Sequence, residues 1–150
     1  VPGLTRGELG CFYSHVGLWL RTAAGPDAVV LVLEDDADVR LPTQWPDIHA
    51  AAHAAPRDWD VLYLGHDRHA PPGVRGVVGD VRGAHALLLT KRGAHKLLDA
   101  YAANEGRDAD TGDPLAVDVW MSRQAGLRRY CVFPAMVHPF DPLDSEVRRI

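Results

Sequence analysis

The stretch VLVLEDDADV, residues 30–39, decides how this 150-residue chain is read. It continues an apolar run, AVVLVL at residues 28–33, that is short and rich in β-branched side chains. Such a run fits a strand buried on both faces, as in a parallel sheet. Glu34, Asp35 and Asp36 end it abruptly. In extended backbone, residues i and i+2 point to the same side. Glu34 and Asp36 are therefore expected to converge, with Cα atoms about 6.6 Å apart from the rise per residue. Two carboxylates that close repel each other unless a cation lies near them. Oxygen ligands of this kind suit Mn²⁺ or Mg²⁺. In open α/β sheets, ligands bind at the carboxyl ends of strands, where these acids fall. The competing reading is a solvated acidic turn. Against it stands the context, six apolar residues delivering three acids at once.

Upstream, residues 6–23 read as an amphipathic helix, with Leu9, Phe12, Val16, Trp19 and Leu20 at helical spacing. Thr5 and Glu8 have the spacing of a capping box, and Gly25-Pro26 stops the helix. Downstream, residues 45–55 form a short helix and residues 60–64 (DVLYL) a second buried strand ending at Gly65. Residues 74–81 are an edge-strand candidate and 84–89 a third apolar strand. Helices are expected over 91–102 and 115–124, then a final strand over 129–133 and a proline-rich tail with little regular structure. Strands alternating with helices predict a single α/β layered domain spanning residues 1–150.

Sixteen basic residues against twenty acidic ones leave a net charge of −4, which argues against a nucleic-acid partner. No apolar run approaches the ~20 residues of a membrane span, so any membrane association would be peripheral. No basic-then-apolar leader is visible, and Cys11 and Cys131 form no CxxC. Two buried free thiols in a reducing compartment, hence a cytoplasmic protein, are the expectation. Basic charge comes from 14 Arg and 2 Lys, which suggests a GC-rich, bacterial genome.

Two families share an apolar strand that ends in acids. The receiver domain of bacterial response regulators is one, and Thr90-Lys91 after the strand ALLL resembles its later switch residues. However, DVLYL ends in Gly65 where that family needs an Asp, and a whole helix precedes the acids. The second resemblance covers nearly the whole chain in order. Residues 5–19, TRGELGCFYSHVGLW, resemble the opening of glycosyltransferase family 25, which includes lipopolysaccharide and procollagen galactosyltransferases. The resemblance continues through Leu-Glu-Asp-Asp-Ala at 33–37, Asp-Trp-Asp at 58–60 leading to Gly65, and Lys-x-Gly-Ala-x-Lys-Leu-Leu at 91–98. It runs on through Pro114 to Asp118, residues 130–134, and Ser145 to Val147.

This resemblance implies a Rossmann-like nucleotide-sugar transferase fold (GT-A type), with a mainly parallel sheet flanked by helices. It implies transfer of a hexose, in the first place galactose, from a UDP-sugar to a hydroxyl of a saccharide or lipopolysaccharide acceptor. Glu34 would face the donor, and Asp36 would hold Mn²⁺ (or Mg²⁺) against the diphosphate. His138, after the last strand, would be a third metal ligand. Asp35, His15, Ser14 and Glu8 are the remaining donor-side candidates; Asp35 is expected to point away or bond locally, and Glu8 doubles as a cap. Asp118, in the otherwise apolar PLAVDVW, is the candidate base for the acceptor hydroxyl, since partial removal from water suits that task. Trp19, Trp45, Trp59 and Trp120 are expected as core anchors, with Trp120 close enough to Asp118 to suggest sugar stacking. The family's usual opening strand, which cradles the uridine, is not among these residues. An inactive transferase remnant is therefore the alternative to an active enzyme.

Overall fold

Thr5 begins the first helix in the way its neighbours require. Its side chain accepts from the Glu8 N–H (3.2 Å), and the Glu8 carboxylate accepts from the Thr5 N–H (2.8 Å), which is the reciprocal capping box. The helix, α1, spans Arg6–Ala24 and ends at Gly25. The computed structural model describes residues 3–39 and 43–140. The motif at Ser145 to Val147 lies outside the described residues, as do Pro42 and Pro142.

The buried stripe of α1 is rotated from the one its apolar residues predict. Phe12, His15, Trp19 and Thr22 face inward, while Leu9 and Leu20 are exposed. The cause lies in what each side chain meets. Phe12 and Trp19 pack on Trp120 with ring centroids 5.4 and 5.5 Å apart. His15 finds a carboxylate partner, and the Thr22 hydroxyl donates to the Leu18 carbonyl (2.8 Å). A polar residue with a partner can be buried where an unpaired one cannot.

Strand β1 is Val29–Leu33, followed by the two-residue β2, Ala37–Asp38. Helix α2 spans Trp45–Ala54, and strand β3 spans Val61–Gly65. Strands β4, Gly73–Gly76, and β5, Ala86–Thr90, precede helix α3, Lys91–Asn104. Short helix α4, Val117–Ser122, strand β6, Arg129–Phe133, and strand β7, His138–Pro139, complete the order.

Five strands form one sheet in the order β1-β5-β3-β6-β4. The expectation of a mainly parallel sheet is corrected. Only β3 and β6 run parallel; β1–β5, β3–β5 and β4–β6 are antiparallel. A continuous apolar run reports cover on both faces, not strand direction. That cover exists for β3, buried throughout, and for β5, buried from Ala86 to Leu89. It does not exist for β1, an edge strand in which Val32 alone is buried. The architecture is thus α/β with a mixed sheet.

Alternation along the central strands builds two cores. Val61, Tyr63, Leu87 and Leu89 face Phe12, Trp19, Leu97 and Trp120. Leu62, Leu64 and Leu88 face Ile48 and Ala51 of α2. Helices α1, α3 and α4 therefore cover one face and α2 the other. Trp120 is fully buried, with its indole N–H donating to Asn104 (2.9 Å), so it is a core anchor and not a stacking platform. Trp45 departs from expectation in the opposite sense: it is 48% exposed at the start of α2. The residues that resemble a receiver switch have structural work instead. Thr90 caps α3 by accepting from the Gly93 N–H (2.9 Å), and the Lys91 ammonium donates to the Gly25 carbonyl (2.8 Å). At Gly65 a Cβ would overlap the His85 ring and crowd the Val137 carbonyl, so no acidic side chain fits the tip of β3.

Arg123 ties the loop before α4 to the segment after β4, with ion pairs to Asp80 (2.9 Å) and Asp108 (2.6 Å). Both ion pairs involve an exposed guanidinium, so each contributes little to global stability. Arg123→Ala is expected to speed amide hydrogen exchange across residues 107–113 while leaving the global denaturation midpoint nearly unchanged.

Candidate functional site

The chain leaves the sheet immediately after β1. The Ala37 N–H donates to the Glu34 carbonyl (3.2 Å), which closes a turn over residues 34–37. The extended geometry expected to set Glu34 and Asp36 on one side is therefore replaced by a turn. Glu34 faces back toward α1. Asp35 and Asp36 are exposed, and the Asp36 carbonyl accepts from the Phe140 N–H. Strand β2 then pairs with β7, placing His138 opposite Asp38. The proline-rich tail thus holds a short ribbon where irregular chain was expected. That ribbon brings Asp36 and His138 to the same end of the molecule, with the His138 backbone registered on Asp38 and not on Asp36.

Two adjoining clefts meet at Glu34. One, of about 250 Å³, is lined by Glu8, Cys11, Glu34, Gly83, Ala116 and Asp118, among others. The second, of about 430 Å³, is lined by Cys11, Ser14, His15, Leu18, Glu34 and Asp35, with the end of β1. Six of the predicted site residues, Glu8, Ser14, His15, Glu34, Asp35 and Asp118, are thus gathered along one helix face, one strand end and the start of α4. Asp36 and His138 line neither cleft. Neither cleft has a Lys or Arg among its described lining residues.

The buried His15 ring places Nε2 3.2 Å from Glu34 Oε1, and the Cys11 thiol donates to the same oxygen at 3.5 Å. The bond from His15 holds the Glu34 carboxyl below its ordinary range, against the upward push of burial. Burial, reinforced by the Glu34 charge, pushes the Cys11 thiol up to about 11. Cys11 is therefore a thiol donor in this setting and not a ready nucleophile. Glu8 keeps its capping bond, and the Thr5 N–H it accepts holds its carboxyl low. Ser14 is exposed, with its hydroxyl donating to the Gly10 carbonyl (2.9 Å).

Asp118 sits in the first turn of α4. Its two oxygens accept from the Gly83 N–H (3.0 Å) and the Val119 N–H (2.8 Å). These bonds fix the carboxylate at the cleft wall without consuming all its acceptor capacity. Gly83 was not legible from the sequence, because a backbone donor carries no side-chain signature. Cys11 was, in part. It lies four residues before His15, and i and i+4 share one face of a helix. His66 and His85 have backbone partners instead of ligands. His66 Nε2 donates to the Val132 carbonyl (2.8 Å) while Nδ1 accepts from the Arg68 N–H (3.2 Å). His85 Nε2 bonds the Val137 carbonyl (3.0 Å).

This arrangement is an α/β domain with an acidic cleft at the end of its edge strand. Residues 2–66 match the family described as glycosyltransferase family 25 (LPS biosynthesis protein), a span that runs from α1 through β3. Procollagen galactosyltransferase 1-B of Xenopus laevis is 35% identical over 130 residues, covering 77% of this chain and 21% of that protein. Procollagen galactosyltransferase 1-A of Xenopus laevis is 38% identical over 112 residues, covering 65% of this chain and 18% of that protein. Inactive glycosyltransferase 25 family member 3 of Homo sapiens is 33% identical over 129 residues, covering 77% of this chain and 21% of that protein. The chain belongs to glycosyltransferase family 25, which displaces the receiver reading. It spans about a fifth of the length of these curated relatives. No helix among the described residues is long and apolar enough to cross a membrane.

Proposed function

We propose that this chain carries the sugar-transfer cleft of a metal-dependent hexosyltransferase. The donor would be a UDP-sugar, in the first place UDP-galactose, and the acceptor a saccharide hydroxyl such as those of lipopolysaccharide. One observation carries this reading. The cleft presents Glu34, Asp35 and Asp118 with no described Lys or Arg on its walls. A diphosphate would be repelled there unless a divalent cation offset its charge. The adjoining turn offers the exposed carboxylates of Asp35 and Asp36, oxygen ligands of the kind that suit Mn²⁺ or Mg²⁺, and His138 stands on the neighbouring strand. Bound there, such a cation would neutralise the charge that develops on the departing nucleoside diphosphate.

The chain's own residues supply the rest. His15 fixes the rotamer and charge of Glu34 from the helix side. Ser14 offers a hydroxyl at the rim of the larger cleft, and Asp35 an exposed carboxylate beside it. Asp118, pinned by two backbone N–H groups, accepts the proton of the attacking acceptor hydroxyl. Hydrolysis or transfer of UDP-galactose, measured with and without Mn²⁺, tests the proposal. Turnover is expected to require the metal, and Asp36→Ala is expected to lower it by at least about tenfold. Undiminished turnover by Asp36→Ala would remove the metal turn from the mechanism. The second reading, an inactive relative, is favoured by the similarity to the human protein named inactive. Retained UDP binding with no turnover on any UDP-hexose would select it.

A further inference from the structure

We propose that Cys11, His15 and Glu34 form a binding site for a zinc-class divalent ion, separate from the oxygen-rich turn at Asp36. The three side chains come from α1 and from the residue after β1, and their ligand atoms all lie within 4.8 Å of one another. Two edges of the triangle are specific. His15 Nε2 lies 3.2 Å from Glu34 Oε1, and Cys11 Sγ lies 3.5 Å from that oxygen. A tetrahedral ion with zinc bond lengths separates nitrogen from oxygen by about 3.3 Å and sulfur from oxygen by about 3.5 Å. Two of the three edges therefore match a tetrahedron face before any metal enters, and the third, between sulfur and nitrogen, is no longer than 4.8 Å. Spacing i, i+4 on one helix supplies the sulfur and the nitrogen, and the strand end supplies the oxygen.

The ligand chemistry selects the ion. One thiolate, one imidazole and one carboxylate suit Zn²⁺ or Co²⁺, whereas Mn²⁺ and Mg²⁺ prefer oxygen sets. Cys11 and Glu34 both line a cleft, which gives the ion an entry path and room for a fourth ligand from solvent. Binding displaces the Cys11 thiol proton to solvent. The His15 ring coordinates through Nε2 as neutral imidazole, with its proton on Nδ1. The burial of His15, unusual for a helix histidine opposite exposed Leu9 and Leu20, is then part of a ligand set.

Co²⁺ titration of the full chain tests this directly, and its readout does not depend on sugar transfer. One equivalent of Co²⁺ is expected to produce a thiolate-to-metal charge-transfer band in the near ultraviolet, which Zn²⁺ then abolishes by displacement. Cys11→Ser is expected to remove the band and weaken Zn²⁺ binding by about tenfold or more. Glu34→Gln is expected to weaken binding with the band retained. Cys131→Ala and Asp36→Asn are expected to leave both signals unchanged. Circular dichroism of each variant verifies folding, and Cys11→Ser, at a half-buried position, is the conservative change on which the outcome turns. No band in the folded wild-type chain, or one that persists in Cys11→Ser, overturns the proposal. So does a band lost in Cys131→Ala. If transfer fails while the cobalt band appears, the site stands and the functional reading falls; the reverse pattern separates them equally well.

Discussion

Asp118→Asn is expected to lower the turnover of sugar transfer by about 10²- to 10⁴-fold, the usual contribution of a positioned general base. The amide keeps an oxygen to accept from the Val119 N–H, so the side chain stays at the cleft wall. It cannot take the acceptor's proton. The bond from the Gly83 N–H is lost when the amide nitrogen faces that donor, which costs little at a half-buried position. Donor affinity should therefore be almost unchanged while kcat collapses. Steady-state kinetics against UDP-galactose with an acceptor saccharide reads this split. An equal loss in UDP affinity and in turnover would instead make Asp118 a binding group.

Asp60→Ala is expected to destabilise the fold by about 3 kcal/mol, near the low end for removing one partner of a buried ion pair. Asp60 is fully buried at the start of β3. Its carboxylate accepts from Arg92 (2.7 Å), Lys96 (2.6 Å) and the Arg128 N–H (2.9 Å). It thereby joins β3 to α3 and to the entry of β6. The two cations are partly exposed and can rehydrate when abandoned, which keeps the loss from being larger. Helix α3 approaches this closely because Gly93 has no side chain; a Cβ there would lie 2.7 Å from the Asp60 carbonyl. Burial alone would push the Asp60 carboxyl up, but donation from Lys96, the Arg128 N–H and Arg92 outweighs it and holds the group below its ordinary value. As pH falls, the unfolded chain therefore takes up this proton first. The stabilisation is whole above about pH 4 and is lost through the acid range below it. Urea denaturation across that range should show a shallower acid slope for Asp60→Asn than for the wild-type chain.

The sequence marked most elements because their signals are local. Thr5 and Glu8 announce a capping box, Gly25-Pro26 a stop, and the runs at 61–65 and 86–90 central strands. Strand direction was not legible, since an apolar run is the same in either sense. Nor was the edge position of β1, because only neighbours absent from the local pattern decide it. The candidate site was legible as residue types, in that Glu34, His15 and Asp118 line one pair of clefts. The geometry of the acids was not, because the 34–37 turn depends on a backbone bond that any four residues can make. Cys11 was passed over as a packed thiol, although its helical register with His15 pointed to Glu34 as well. Asp60 was visible only within the motif Asp-Trp-Asp; that it is a buried hub follows from Lys96 and Arg92, more than thirty residues away.

On the proposed function, the acids closing β1 hold a divalent cation beside the donor cleft. Titration of Mn²⁺ into the isotope-labelled chain in the presence of UDP tests it most directly, because the ion broadens amide resonances near it. The expected result is broadening centred on residues 34–37, reaching His138 on β7, and lost in Asp36→Ala. Broadening centred elsewhere on the sheet, or unchanged by Asp36→Ala, would exclude a metal site at this turn.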